Sequence, residues 1–162
     1  YYTTATGDAS HTEGYMTHAE QLCDHAEGWR NTAKGSYGSH AEGGITSAKG
    51  EASHSEGYGT EANGDYSHAG GFNTIANGEA QTVIGKSNIE DNNETYAFII
   101  GNGTGSGRSN AFTVDWNGEV TAKSIQLDNN TKLEAIYDET TQTISLNITL
   151  DGTTVSFTAS EL

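Results

Sequence analysis

The chain has 162 residues, 33% of them hydrophobic, with 21 glycines and no proline, and it carries 22 acidic against 7 basic side chains for a formal net charge of −15. That charge repels nucleic acid and anionic membrane surfaces, which sets both aside as partners. The single cysteine, Cys23, allows no disulfide within the chain, and with no run of about 18 apolar residues no segment is predicted to insert into a membrane.

So little apolar content at so high a charge is also the composition of disorder. A strict internal repeat argues against that reading. Five of the six histidines occupy one motif: Ser10-His11-Thr12-Glu13-Gly14, Asp24-His25-Ala26-Glu27-Gly28, Ser39-His40-Ala41-Glu42-Gly43, Ser53-His54-Ser55-Glu56-Gly57 and Ser67-His68-Ala69-Gly70-Gly71. Their steps are 14, 15, 14 and 14 residues, the longer one holding one inserted residue within Ser36-Tyr37-Gly38. A weaker motif falls between them, as in Thr32-Ala33-Lys34-Gly35, Thr46-Ser47-Ala48-Lys49-Gly50 and Thr60-Glu61-Ala62-Asn63-Gly64. Each 14-residue unit is thus two seven-residue halves, each close to Ser/Thr-x-Ala-x-Gly. The chain opens inside a repeat without an initiator Met, as a segment of a longer protein would.

Alternation over five residues is the period of a strand. Ser/Thr, Ala and Gly are expected to face one way and the x residues the other, with each Gly giving backbone freedom for a tight turn. A helix would carry a glycine every seven residues, at about 1 kcal/mol each relative to Ala. The residues therefore predict an all-β parallel β-roll of 14-residue coils, stacked about 4.8 Å apart. A coil this short is thin, so only small residues fit inside, and one roll buries too little apolar area to stand alone. The outward residues of the weak half vary, as a solvated face does. Those of the strong half are His then Glu in coil after coil, and this constancy predicts a face packed on copies of itself about a symmetry axis.

Near the sixth unit the pattern changes. Thr82 and Ile84 take the His and Glu places, and after a polar loop over 86–96, Phe98 and Ile100 take them again; Ile84, Phe98 and Ile100 read as a hydrophobic plug at the base of the roll. Residues 101–107 read as a Gly-rich linker. A hairpin follows, 110–114 and 119–122, around Asp115-Trp116-Asn117-Gly118. The last forty residues alternate differently, with a strand through Leu133, Ala135 and Tyr137, a second over 143–150, a turn at Asp151-Gly152, and a return strand through Val155 and Phe157. The expected organisation is a roll over 1–101, a linker and hairpin over 102–123, and a small C-terminal antiparallel β-domain over 124–162 that needs a cover for its apolar face.

The half-repeat resembles the head domain of trimeric autotransporter adhesins. The Ser39–Gly43 type of motif, followed by Val83-Ile84-Gly85, by 98–104 and by Arg108-Ser109-Asn110-Ala111-Phe112-Thr113-Val114-Asp115-Trp116-Asn117-Gly118, is similar to tail-fibre and tail-appendage proteins of phages that infect Gram-positive hosts. The resemblance covers about residues 1 to 122. It implies a left-handed roll, a homotrimer, and an adhesion device on a virion tail or another extracellular surface. The adhesin repeats usually carry apolar residues where this chain has His and Glu.

Three uses of the histidine rows compete. A His column could bind Zn²⁺ or Ni²⁺, but structural zinc sites rarely repeat five times and no thiolates accompany this one. A His and a Glu two residues apart could act as base and orienter, but an active site is single and asymmetric. The favoured reading is an inter-chain seam in which His11, His25, His40, His54 and His68 of one chain meet Glu13, Glu27, Glu42 and Glu56 of its neighbour, with simple exposure of the rows to solvent as the alternative. Tyr15, Trp29, Tyr37 and Tyr58 lie at surface turns, where aromatic rings stack on sugars or pack between chains; both roles are open. Asp128-Asn129-Asn130 reads as a turn, since it lacks the further ligands of a calcium loop. No catalytic residue, metal or cofactor is expected. The functional reading is a structural and adhesive module of a phage tail fibre or receptor-binding protein that contacts a host cell-surface saccharide or protein. A bacterial trimeric surface adhesin is the alternative, and a tailspike or self-cleaving appendage enzyme the third.

Overall fold

The computed structural model describes residues 2–126, 131–138, 143–150 and 152–159. Among these residues there is no helix, and the strands form three sheets. Two-residue strands, Thr4–Ala5, His18–Ala19, Thr32–Ala33, Ser47–Ala48, Glu61–Ala62 and Ile75–Ala76, make a six-stranded parallel wall. The opposite wall has nine strands. Five-residue strands His11–Tyr15, His25–Trp29, His40–Gly44, His54–Tyr58, His68–Phe72 and Thr82–Lys86 run parallel and are followed by Tyr96–Asn102, also parallel. Asn110–Asp115 then turns back antiparallel, and Val120–Ala122 closes the order. This is the parallel solenoid of 14-residue coils that the repeat predicts.

The interior is one residue deep. Ala19, Ala26, Ala33, Ala41, Ala48, Ala62, Ala69 and Ala76 are fully buried, and so are Thr17, Ser39, Thr60 and Thr74. Each half therefore sends its first and third residues inward, as strand parity demands. Ser55 stands at an Ala position between the two alanine clusters, and its hydroxyl meets that of Thr60 at 2.8 Å inside the roll. At the far end the alanines give way to Val83 and Ile99, both fully buried, with Tyr96 packed against them. The interior is closed by these two. Ile84, Phe98 and Ile100, read as the plug, have the opposite parity and stand partly exposed on the outer face.

The glycines divide into two kinds, which the repeat alone did not separate. Those of the strong half have positive φ, as at Gly43 with φ +100°, and their surfaces are exposed. Those of the weak half have no such φ, and Gly35, Gly50, Gly64 and Gly78 are buried. At Gly50 a Cβ would lie 1.9 Å from the carbonyl oxygen of Gly64, so this glycine is required by the closeness of the next coil, not by a turn. The left-handed turn residue comes later and is mostly not glycine: Met16, Cys23, Arg30, Ile45, Ala52, Tyr66 and Asn73 all have φ between 47° and 59°. Such residues are strained. Stacking offsets the strain, because their N–H groups donate to the turn of the preceding coil, as from Arg30 to Tyr15 O at 2.8 Å and from Tyr66 to Glu51 O at 2.7 Å.

Insertions are absorbed by long polar side chains at the first position of a half. Asp24 and Asn31 precede the coil with the extra residue. Buried Asp24 accepts from Ser39 N at 3.0 Å, Ser39 Oγ at 2.9 Å and Gln21 N at 2.8 Å, while Asn31 Oδ1 accepts from Thr46 N at 2.9 Å. Gln81 precedes the loop over 86–96 and Asn88 lies within it. Gln81 donates to Asp91 at 3.0 Å and to Tyr96 O at 2.8 Å, and Asn88 bridges Ile75 N and O at 2.8 and 3.0 Å. Each supplies donors or acceptors where the coil widens and a serine would not reach.

Of residues 101–107, the first two end the strand Tyr96–Asn102 and the last four make a tight turn closed by a Thr104–Gly107 bridge. Arg108 anchors it by donating to Asn73 O and Asn88 O, both at 3.0 Å, beside Glu90 at 3.3 Å. The roll and hairpin form one compact unit, Tyr1–Val120, and Thr121–Leu162 forms a second. The second unit is an antiparallel sheet of Ile125–Gln126, Thr131–Asp138, Thr143–Leu150 and Thr153–Ala159, one strand more than the alternation predicts. Its register sets Leu146 opposite Ala135 and Phe157, and Ile148 opposite Leu133 and Val155. The turn residues 128–130 and Asp151 lie outside the described residues.

Two predictions test this account. Gly43→Ala would place a Cβ 2.2 Å from Gly57 O, whereas Gly105 has nothing within 4 Å of the same atom. Thermal unfolding should show Gly43→Ala destabilised by about 3 kcal/mol or more and Gly105→Ala changed by less than about 0.5 kcal/mol. Equal losses would mean that the coils are not in that contact. The second concerns the hairpin turn. The Glu119 N–H, donating to the Asp115 carboxylate at 2.8 Å, together with Asn117, holds that carboxyl below the usual aspartate range. Its contribution is therefore present above the unfolded value and lost as pH falls through the lower folded one. The Glu119 amide resonance should titrate with a midpoint below that of an unstructured aspartate, and Asp115→Asn should flatten the curve.

Candidate functional site

The outer face of the long-strand wall carries the repeated chemistry. Its register is residue on residue. His11, His25, His40, His54 and His68 pair in sequence, and the row continues through Thr82 to Phe98. Two residues along, Glu13, Glu27, Glu42 and Glu56 form a second row, which meets Gly70 and then resumes as Ile84 and Ile100. A slip of one residue would put both rows in the interior, so burial of the alanines enforces the columns.

The histidine rings are in contact along the column. His25 and His40 stack with centroids 4.6 Å apart and planes 4° from parallel, and His40 and His54 at 4.8 Å and 9°. At the two ends the contacts turn edge-on, His11 to His25 at 5.0 Å and His54 to His68 at 5.1 Å. The carboxylates lie beside the rings of the same chain. His54 Nε2 is 3.6 Å from Glu42 and His68 Nε2 is 3.5 Å from Glu56, each reaching back one coil, while His25 Nε2 is 3.9 Å from Glu27 on its own strand. None is a hydrogen bond at those lengths. The Nε2 atoms of His25, His40 and His54 are shielded from solvent and have no hydrogen-bond partner. The Glu row stops at Gly70, where a Cβ would lie 3.0 Å from His68 Nε2 and 3.1 Å from Glu56 Oε1, so the ends of these two side chains lie over the space that a side chain would take.

A third column, aromatic, was only partly read from the sequence. Tyr15, Trp29, Gly44, Tyr58 and Phe72 pair in register at the ends of the same strands. Tyr58 and Phe72 stack at 5.8 Å, Tyr2 meets Tyr15 edge-on at 6.4 Å, and the Arg30 guanidinium lies 5.4 Å from the Trp29 ring centre. All four rings in register are more than 40% exposed. Tyr37 is not among them; it lies in the turn at the other end of the coil, 66% exposed. Phe72 completes the column, and its place two residues after Gly70, as Tyr58 stands two after Glu56, is the signal in the sequence that marks it.

Beyond the glutamates the same face becomes apolar. Phe98 and Phe112 meet edge-on at 6.3 Å, and Ile100 pairs with Phe112 across the antiparallel strands. The other wall differs. Its outer face carries a Lys49–Glu61 ion pair and an amide ladder in which Asn63 donates to Asn77 at 2.7 Å and Asn77 to Asn92 at 2.8 Å. These pairings tie neighbouring coils together on the short-strand face, where Asn63 Oδ1 alone among the ladder's amide oxygens is shielded without a partner. On the long-strand face the imidazole nitrogens are left over. No family model, curated protein or solved structure matches the chain.

Proposed function

We propose that the chain is a trimeric structural and adhesive module of the phage tail-fibre or receptor-binding type, whose roll is a rigid spacer and whose long-strand face is the seam between protomers. The observation that carries this is the contrast between the two walls. One links outer side chains to one another from coil to coil within the chain, through the Lys49–Glu61 pair and the Asn63–Asn77–Asn92 ladder. The other presents rows of His, Glu and exposed aromatic rings that run straight along the stack and end in an apolar patch of Phe98, Ile100 and Phe112. A thin alanine interior stabilises each coil weakly, and burying this face against two copies adds the area that the interior lacks. In the seam, His of one protomer beside Glu of the next relieves the repulsion of stacked carboxylates. The resemblance of the repeats and of residues 98–118 to tail appendages supports the same reading, and an acidic, repetitive roll suits a spacer on an extracellular surface. Host contact, with a cell-surface saccharide or protein, is assigned to the second unit, which breaks the repeat.

Two measurements test it. Light scattering at micromolar concentration should give a mass near three times 17.1 kDa, with no folded monomer on dilution; a folded monomer overturns the seam. Removal of 124–162 should abolish binding to host cells while the roll still folds. Full binding by the shortened chain would move recognition onto the roll.

A further inference from the structure

The distances on the His–Glu face fit a ligand that the seam does not require. Two ligands of one tetrahedral cation, each about 2.0 to 2.2 Å from it, are roughly 3.4 Å apart. The His54–Glu42 and His68–Glu56 separations of 3.6 and 3.5 Å are close to that value and too long for hydrogen bonds. Ligand atoms of Glu27, His40 and Glu42 all lie within 4.8 Å of one another, and so do those of Glu42, His54 and Glu56. A buried polar atom without a partner calls for an explanation, and His40 Nε2 and His54 Nε2 are two such atoms. The carboxylate row adds a second reason. Glu13, Glu27, Glu42 and Glu56 stand in register on adjacent strands, with no Lys or Arg in either row between His11 and Gly70. Like charges at that spacing repel.

We infer that the centre of this face binds divalent transition-metal ions, one held by Glu27, His40 and Glu42 and a second by Glu42, His54 and Glu56. One imidazole and two carboxylates suit Zn²⁺ or Ni²⁺, with water in the remaining positions. Glu42 belongs to both sets and bridges them with its two oxygens. The parallel stacking of His25, His40 and His54 keeps the rings in one orientation along the column, so little order is lost on binding. Repetition, which counts against a structural zinc centre, is no objection to a ladder: each coil contributes one His and one Glu, and each ion lies between two coils. The inference rests on ligands of a single chain and does not depend on trimer formation.

The test is a calorimetric titration of the full chain, freed of metal by a chelator, with Zn²⁺ alone and with Mg²⁺ alone. Two saturable Zn²⁺ sites per chain are expected, with no comparable Mg²⁺ binding, because Mg²⁺ does not favour imidazole. Glu42→Gln, close in shape and partly exposed, should weaken both sites at least about tenfold, since lesser changes outside the ligand set already cost that much. His40→Ala should remove one site and leave the other, and His18→Ala, on the opposite wall, should change neither; circular dichroism checks that each variant is folded. The absence of saturable Zn²⁺ binding, equal binding of Mg²⁺, or unchanged titration of Glu42→Gln overturns the inference. Light scattering on the same samples separates this from the assembly reading. A trimer that takes up no Zn²⁺ overturns the metal sites alone, and a monomer that takes it up overturns the seam alone.

Discussion

The structure depends on how closely one coil lies against the next. Backbone hydrogen bonds tie each coil to its neighbours not only in the strands but also in the turns, where Cys23 N donates to Asp8 O at 2.9 Å and Asn73 N to Tyr58 O at 2.9 Å. With both walls held this way and only a few residues between turns, the interior is as wide as two small side chains. Alanine, serine and threonine are the residues that fit. Larger ones enter only beside the irregular coils, as the polar Asp24 and Asn31, and at the end, as Val83 and Ile99, where the chain leaves the regular repeat. The same closeness requires glycine at Gly50 and its equivalents, and it holds residues such as Met16 and Ile45 in left-handed turns that they would not adopt alone.

A narrow interior shifts the burden of stability outward. Alanine buries little area, so the ladder of hydrogen bonds and the outer faces must supply what a wide apolar core would. The two outer faces meet that need differently. On the short-strand side, Asn63, Asn77 and Asn92 pair with one another from coil to coil. On the long-strand side the rings of His25, His40 and His54 stack, yet their Nε2 atoms remain without partners. Repetition is the common cause. A period of 14 places like on like, which is favourable for amides and rings and unfavourable for carboxylates. A face with four carboxylates in line calls for a counter-charge, whether from a neighbouring protomer or from a cation.

The inserted segments show how the solenoid tolerates irregularity. The extra residue near Tyr37 and the loop over 86–96 are each accompanied by two polar side chains longer than serine: Asp24 and Asn31 in one case, Gln81 and Asn88 in the other. Their side chains carry hydrogen bonds that regular coils make through the backbone. These four positions depart from Ser/Thr in the sequence, and the departures mark the insertions. They were not read that way because a departure from a repeat has no meaning until the contact it serves is known.

By itself the sequence determined the coil length, the strand parity, the inward alanines and the His and Glu rows, because a period of two within a period of 14 leaves no other way to bury the small residues. It also placed the hairpin at Asp115–Gly118 and the alternating strands of the C-terminal unit. Only the tertiary structure decided what depends on neighbours across coils. It divided the glycines into those with positive φ, such as Gly43, and those without, such as Gly50, both packed closely on the next coil, and it placed Val83 and Ile99 inside with Ile84, Phe98 and Ile100 on the outer face. It aligned Tyr15, Trp29, Tyr58 and Phe72 into a column without Tyr37, and it brought Glu42 between His40 and His54. The physical reason is the same in each case. Periodicity within the chain says which way a side chain points, whereas the distance to the adjacent coil, set by the hydrogen-bond ladder, says what it meets there.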